Sequence, residues 1–157
     1  MTVWRICRAK YLSSAFSGLG AEKVGGRWNF KGYPVVYTSE NLSLAILELF
    51  VHADPGLIPG DLVSVRGRLP ESVSMESVDQ ADLPDGWRDY PGPVELSEIG
   101  TDWIKGRSSL GLGVPSAINP VENNILLNPE HDEMKTLLVE GERSFEFDPL
   151  LFDKQKK

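Results

Sequence analysis

The alternation of apolar and polar positions changes rhythm several times along the chain, and each rhythm predicts an element. Val3 to Cys7 alternates and reads as a strand. Gly18, Gly20, Gly25 and Gly26 then mark a long flexible loop. Val35 to Thr38, a β-branched and aromatic run after Pro34, is a second strand. Ser39 is placed to cap a helix from Glu40 to about Ala53, which Asp54-Pro55-Gly56 stops. Leu62 to Arg68 alternates again. Pro70 to Gly92 is polar and proline-rich and predicts an irregular surface excursion. Leu96, Ile99, Trp103 and Ile104 fall at helical spacing, so Glu95 to Lys105 is a helix, and Ser108 to Gly113 a loop. Val114–Ile118, Asn124–Leu127 and Ser144–Phe147 are short strand candidates. Strands and helices mix without a βαβ repeat. The expectation is an α+β fold: a single compact domain with a central mixed sheet over residues 1–153, followed by a short basic tail at 154–157.

Composition narrows the functional classes. A chain of 157 residues fits one domain. It carries 16 Lys and Arg against 23 Asp and Glu, a net charge of −7, which disfavours direct nucleic-acid binding and attachment to an anionic membrane. Met1 to Lys10 has no apolar core of a signal peptide, and no apolar run is long enough to span a bilayer. The single cysteine, Cys7, cannot form an internal disulfide and reads as a small core hydrophobe. A cytoplasmic protein is therefore expected. His52 and His131 are the only histidines, no zinc spacing is present, and His131-Asp132-Glu133 reads as a solvated turn, so no metal is expected. Gly18-Leu19-Gly20 lacks the third glycine of a dinucleotide fingerprint, since Lys23 stands there.

Three features could carry chemistry. The helix after Tyr37 has a main apolar stripe (Leu42, Ala45, Ile46, Leu49, Phe50, Ala53) and a flanking one (Leu44, Leu47, Val51). Glu48 lies within the second. A carboxylate there either serves a site, pairs with a structural arginine, or sits on a face less buried than the pattern suggests. In Gly25-Gly26-Arg27-Trp28-Asn29, paired glycines admit close backbone approach and arginine offers a planar fork for phosphate. Trp28 there is either a stacking surface or a core plug. In the third segment, Ser116 is a hydroxyl in an apolar strand, and Asn124 and Asn128 are four residues apart on one strand face. These amides either satisfy backbone groups or touch a ligand.

These segments together resemble the RES-domain proteins, the toxin half of RES–Xre toxin–antitoxin modules. The resemblance runs from Trp4-Arg5-Ile6 to Phe147-Asp148-Pro149-Leu150-Leu151-Phe152. It is sharpest at Gly25-Gly26-Arg27-Trp28-Asn29, Pro34-Val35-Val36-Tyr37-Thr38-Ser39-Glu40, Leu44-Ala45-Ile46-Leu47-Glu48, Val114-Pro115-Ser116-Ala117 and Asn124-Ile125-Leu126-Leu127-Asn128-Pro129. The Arg, Glu and Ser of the family name fall on Arg27, Glu48 and Ser116, and the family's site tyrosine on Tyr37. One departure is visible: where His-Pro often follows Asn-Pro in the family, Glu130-His131-Asp132 stands here.

The resemblance implies a fold similar to ADP-ribosyltransferases. It implies NAD as substrate rather than as a bound cofactor, and loss of NAD by hydrolysis or phosphorolysis, or transfer of ADP-ribose to a protein. It assigns catalysis to Arg27, Tyr37, Glu48 and Ser116, and NAD binding to Arg27, Trp28, Tyr37, Ser116 and Asn124. It further implies an Xre-like helix-turn-helix antitoxin as partner and allows a homodimer within the toxin–antitoxin complex. A rival from another class is a non-catalytic binding module in which Arg27 and Glu48 form a buried ion pair.

Overall fold

A computed structural model describes residues 1–152. The proposed basic tail at 154–157 lies outside the described residues. Seven strands form one mixed sheet in the order β4-β5-β6-β2-β1-β3-β7. They are β1 (Thr2–Arg8), β2 (Val36–Ser39), β3 (Leu62–Arg68), β4 (Met75–Ser77), β5 (Gly111–Pro115), β6 (Asn123–Leu127) and β7 (Leu138–Ser144). Only β4 and β5 run parallel; the other neighbours are antiparallel. Three α-helices accompany them: α1 (Leu19–Val24), α2 (Leu42–His52) and α3 (Val94–Gly106). The expected single α+β domain with a central mixed sheet is what the chain forms. None of the helices is long and apolar enough to cross a membrane.

The period of two along the strands sorts side chains onto two faces. Val3, Val36, Ile125 and Leu127 pack on one face with Leu69 and Leu110, under Phe16, Met134 and Leu137. On the other, Leu112, Val114 and Leu126 pack beneath Leu96, Trp103 and Ile104 of α3, with Trp28 and Val35. Register places Tyr37 opposite Leu126, Ser39 opposite Asn124, and Asn124 opposite Val114. Tyr37, Ser39 and Asn124 therefore share the α3 face.

Several local expectations are corrected. Residues 19–24 of the glycine-rich stretch form α1, onto which the following loop closes: Gly32 N–H donates to the Glu22 carbonyl at 2.7 Å. Ser39 is not the helix cap. It ends β2, and Asn41 caps α2, its side chain accepting the Leu44 N–H at 2.8 Å. Part of the 108–113 loop is already β5, whose glycines allow β4 to lie close: a Cβ on Gly111 would meet the Met75 sulfur at 2.3 Å. The last strand is Leu138–Ser144, not Ser144–Phe147. It is wholly exposed, so it has no buried face to write an alternating pattern. Phe147 instead joins Phe50 and Phe152 in an aromatic cluster, with ring centroids 5.3–5.8 Å apart.

Gly100 shows how tightly α3 sits on the segment that carries Arg27. A Cβ there would lie 1.9 Å from the Trp28 carbonyl oxygen. Gly100→Ala should therefore destabilise the fold by about 2 kcal/mol even though alanine favours helix. That corresponds to a loss of roughly 5 °C in thermal melting. Gly20→Ala, where an added Cβ meets nothing within 4 Å, should be neutral or stabilising in the same measurement.

Candidate functional site

The site lies at the end of β5 and β6, where α2 leans across the polar part of the α3 face. Glu48 projects from the middle of α2. Its Oε1 accepts the Ser116 hydroxyl at 2.8 Å and the Asn124 side-chain amide. Asn124 is itself oriented by Ser39, whose hydroxyl donates to Asn124 Oδ1 at 2.7 Å. Ser116, just past β5 and 0% exposed, accepts the N–H groups of Ile118 and Asn119 at 3.2 and 3.1 Å. One donor and two acceptor positions are all a hydroxyl has, so Ser116 is saturated. In this arrangement its hydroxyl has nothing left for a ligand. Ser116 and Asn124 here both hold Glu48 Oε1.

Glu48 Oε2 has no hydrogen-bond partner among the described residues and is not buried. Among those residues Glu48 also makes no salt bridge. The rival arrangement, a buried Arg27–Glu48 ion pair, is thus absent. The helix is also less enclosed than its composition suggests: Leu44 and Ala45 are buried, whereas Leu47 and Val51 are exposed. Glu122 fixes α2 against the β5–β6 hairpin. It accepts from Asn41, the α2 cap, at 2.9 Å and from Asn119 at 3.0 Å.

The second half of the site is the Gly-Gly-Arg loop. The Tyr37 hydroxyl donates to Asn29 Oδ1 at 2.7 Å and accepts the Trp28 N–H at 3.0 Å. Asn29, fully buried, donates to the carbonyls of Ala21, Phe30 and Tyr33. Gly26 must be glycine here, because a Cβ would lie 2.6 Å from the Tyr37 hydroxyl. Burial pushes the Tyr37 phenol above its ordinary pKa, against the smaller opposing effects of the Trp28 N–H and the nearby Arg27 charge. Trp28, expected either to stack on a ligand or to plug the core, takes the core position. The residue is 3% exposed, and its indole is packed into the α3 cluster. Arg27, next to it, is half-buried, with Nη1 and Nη2 donating to the carbonyls of Trp87 and Asp89.

Arg5 is a contributor that the pattern of β1 did not single out. Strands β1 and β2 share a single register pair, Trp4 with Ser39. In the gap beside it Arg5 Nη1 donates to the Tyr37 carbonyl at 2.9 Å. Its Nε is buried without a partner, and burial draws its pKa below the usual guanidinium value. Asn128, paired with Asn124 in the sequence pattern, is structural: its amide donates to the Ile104 carbonyl of α3. Cys7 is half-buried, and burial raises its thiol pKa, away from a reactive thiolate. His131 caps a 3-10 turn, its Nδ1 accepting the Glu133 N–H.

The RES domain family model matches residues 2–148. This chain belongs to the RES domain family. Over 152 residues it is 41% identical to Toxin Res of Yersinia enterocolitica, covering 96% of this chain and 99% of that one. It is 36% identical over 156 residues to a Prs ADP-ribosylating toxin of Sphingobium, covering 96% of each. Among solved structures, the fold is similar to a chain of the Mycobacterium tuberculosis MbcT–MbcA toxin–antitoxin complex. The TM-score is 0.70 and identity 18%, over 98% of this chain and 87% of that one. By kinship the chain is therefore a RES-domain toxin, and the solved structure shows the shared fold.

The Tyr37 hydroxyl holds the loop that presents Arg27. Tyr37→Phe strands the Asn29 Oδ1 and the Trp28 N–H, and should cost roughly 2–4 kcal/mol. A lowered urea midpoint with an unchanged m-value is the expected result. An unchanged midpoint would show that the loop does not depend on this hydroxyl.

Proposed function

We propose that this toxin consumes NAD by cleaving the nicotinamide–ribose bond, with an Xre-like helix-turn-helix antitoxin restraining it in the cytoplasm. The observation that carries this reading is the half-committed carboxylate of Glu48: one oxygen is held by two neutral donors, the other is open. In the reaction the C1′–N bond breaks and its electron pair stays on the nicotinamide nitrogen, which leaves neutral. Positive charge develops on the ribose, as in glycoside hydrolysis. A fixed carboxylate whose charge no cation neutralises suits that transition state, and its free oxygen can accept a ribose hydroxyl. An acceptor oxygen then bonds to C1′. Water in that role gives up one proton to solvent; phosphate attacks through an oxygen already ionised. A neutral leaving group needs no strong general acid, so a site without histidine is adequate.

The other residues act around this centre. Arg27 keeps N–H donors beyond those given to Trp87 and Asp89, and these suit a pyrophosphate. The half-buried Tyr37 ring walls the nicotinamide end. Ser116 and Asn124 are positioning residues that set the Glu48 rotamer. A second acceptor, a protein side chain, is favoured by the relative named an ADP-ribosylating toxin; it uses the same cleavage and differs only in what attacks C1′.

Mixing the purified chain with NAD should release nicotinamide. Glu48→Gln keeps the shape and the Ser116 contact but removes the charge. Turnover should fall on the order of a hundredfold or more, with NAD affinity little changed. The melting temperature should hold, because no cation is left unpaired. Wild-type turnover in a folded Glu48→Gln protein would refute the catalytic role. If the wild-type chain releases no nicotinamide without a protein acceptor, the transferase reading replaces NAD loss.

A further inference from the structure

The segment before α3, expected only as an irregular excursion, touches three walls of the site within four residues. The Trp87 and Asp89 carbonyls accept the two terminal nitrogens of Arg27 at 2.7 and 3.1 Å. Arg88, between them, reaches elsewhere: its Nε donates to the carbonyl of Ala117, the residue after Ser116, at 2.8 Å. The Tyr90 ring meets His52, one helical turn beyond Glu48 on α2, with centroids 5.6 Å apart. Gly92 completes the fit, since a Cβ there would come within 2.7 Å of Arg27 Nη1. Residues 87–92 thus form a strap joining the Gly-Gly-Arg loop, the turn after Ser116 and the end of α2.

The strap fixes the Arg88 guanidinium by its Nε, and its two terminal nitrogens have no partner among the described residues. That is the planar fork suited to a phosphate, with its orientation already set. The charge pattern points the same way. This chain has a net charge of −7 and pairs Arg8, Arg66, Arg68 and Arg107 with carboxylates. Among the described residues Arg5, Arg27, Arg88 and Arg143 have no such pairing; Arg5 bonds the Tyr37 carbonyl and Arg143 lies on β7, so Arg27 and Arg88 are the two at the strap, although Asp85 and Asp89 lie close in sequence. Two guanidiniums without a carboxylate partner beside the mouth of a site suit a doubly charged ligand.

We propose that Arg88 is a second phosphate-binding residue besides Arg27, which receives a phosphate group at the mouth of the Glu48 site. The proposal rests on the NAD reading above. The phosphate is either the pyrophosphate of the dinucleotide or a free phosphate ion serving as acceptor.

Binding and turnover separate these sources. In the Glu48→Gln background, where NAD survives, NAD is titrated calorimetrically into the full chain with Arg88 intact, Arg88→Ala or Arg88→Lys. A dissociation constant at least tenfold higher for Arg88→Ala, only partly recovered by Arg88→Lys, assigns Arg88 to the pyrophosphate. In the otherwise wild-type chain, nicotinamide release is followed against inorganic phosphate. A half-saturating phosphate concentration raised tenfold, with NAD affinity unchanged, assigns Arg88 to the acceptor. Arg68→Ala, which removes a cation paired with Glu140 on β3 and β7, should change neither. Equal losses for Arg68→Ala and Arg88→Ala overturn the proposal, as does unchanged or absent NAD binding together with unchanged phosphate dependence. A chain that binds NAD through Arg88 yet releases no nicotinamide to water or phosphate refutes NAD loss by those acceptors and leaves Arg88 in place.

Discussion

The two hydrogen bonds that Glu48 Oε1 accepts, from Ser116 and Asn124, join α2 to the β5–β6 hairpin and decide what the site can do. The identity of the donors matters as much as their number. An arginine partner would have engaged both carboxylate oxygens with its fork and cancelled the charge. A serine and an asparagine do neither: the carboxylate stays negative, and one oxygen stays available. The partly open setting of α2 makes this affordable. Full burial of an unpaired carboxylate is among the most expensive arrangements in a protein, whereas a half-buried one held by neutral donors costs much less. Ser39, Glu122 and the two backbone N–H groups on Ser116 support these donors in turn. A small polar network thereby fixes one rotamer.

The Gly-Gly-Arg loop solves a different problem with the same means. Arg27 must reach solvent from a loop, and loops are mobile. Its neighbour Trp28 is buried under α3, Asn29 is buried against three carbonyls, and the Tyr37 hydroxyl bridges the two. The loop is anchored like core, and only Arg27 projects. Arg5 adds a tie from beneath. Where β1 and β2 part, its side chain supplies the donor that a continuous ladder would have given to the Tyr37 carbonyl. A buried guanidinium with an unpartnered Nε carries a desolvation cost on β1, beside the strand that carries Tyr37.

This division explains what was legible in the sequence. β1, β2, β3, β6, α2 and α3 were readable because each buries apolar side chains, the central strands on both faces, and burial writes apolar runs or a period into the chain. β7 wrote none because it is exposed throughout. β5 was half hidden because its glycines, needed for close strand approach, look like loop residues. Glu48 stood out as a charge in an apolar helix, and Arg27 as a fork after paired glycines. Ser116 and Asn124 were found, but not their bonds to Glu48, because sequence shows a polar group and not its partners. Trp28 could have faced either way, and the decisive feature, Gly100 opening a slot in α3 72 residues later, has no local signature. Arg5, Ser39, Asn41 and Glu122 act through contacts 32 to 85 residues distant in sequence. No short-range pattern encodes them.

The same geometry bears on how such a site would be controlled. Glu48 is positioned, and its open oxygen exposed, in the chain alone; no side chain among the described residues covers Oε2. The polar network has no spare capacity through which a distant signal could shift the carboxylate. Ser116 is saturated, and Asn124 is held at both ends of its amide. A restraining partner therefore has two routes: to cover the mouth, or to displace the strap at residues 87–92. The second would disturb Arg27, Arg88 and His52 together while leaving Glu48 in place, and so would weaken ligand binding more than catalysis. Occlusion would abolish both. Arg27 and Arg88, which no carboxylate among the described residues pairs, favour occlusion by an acidic element, since it could seat against those cations where a basic one would not.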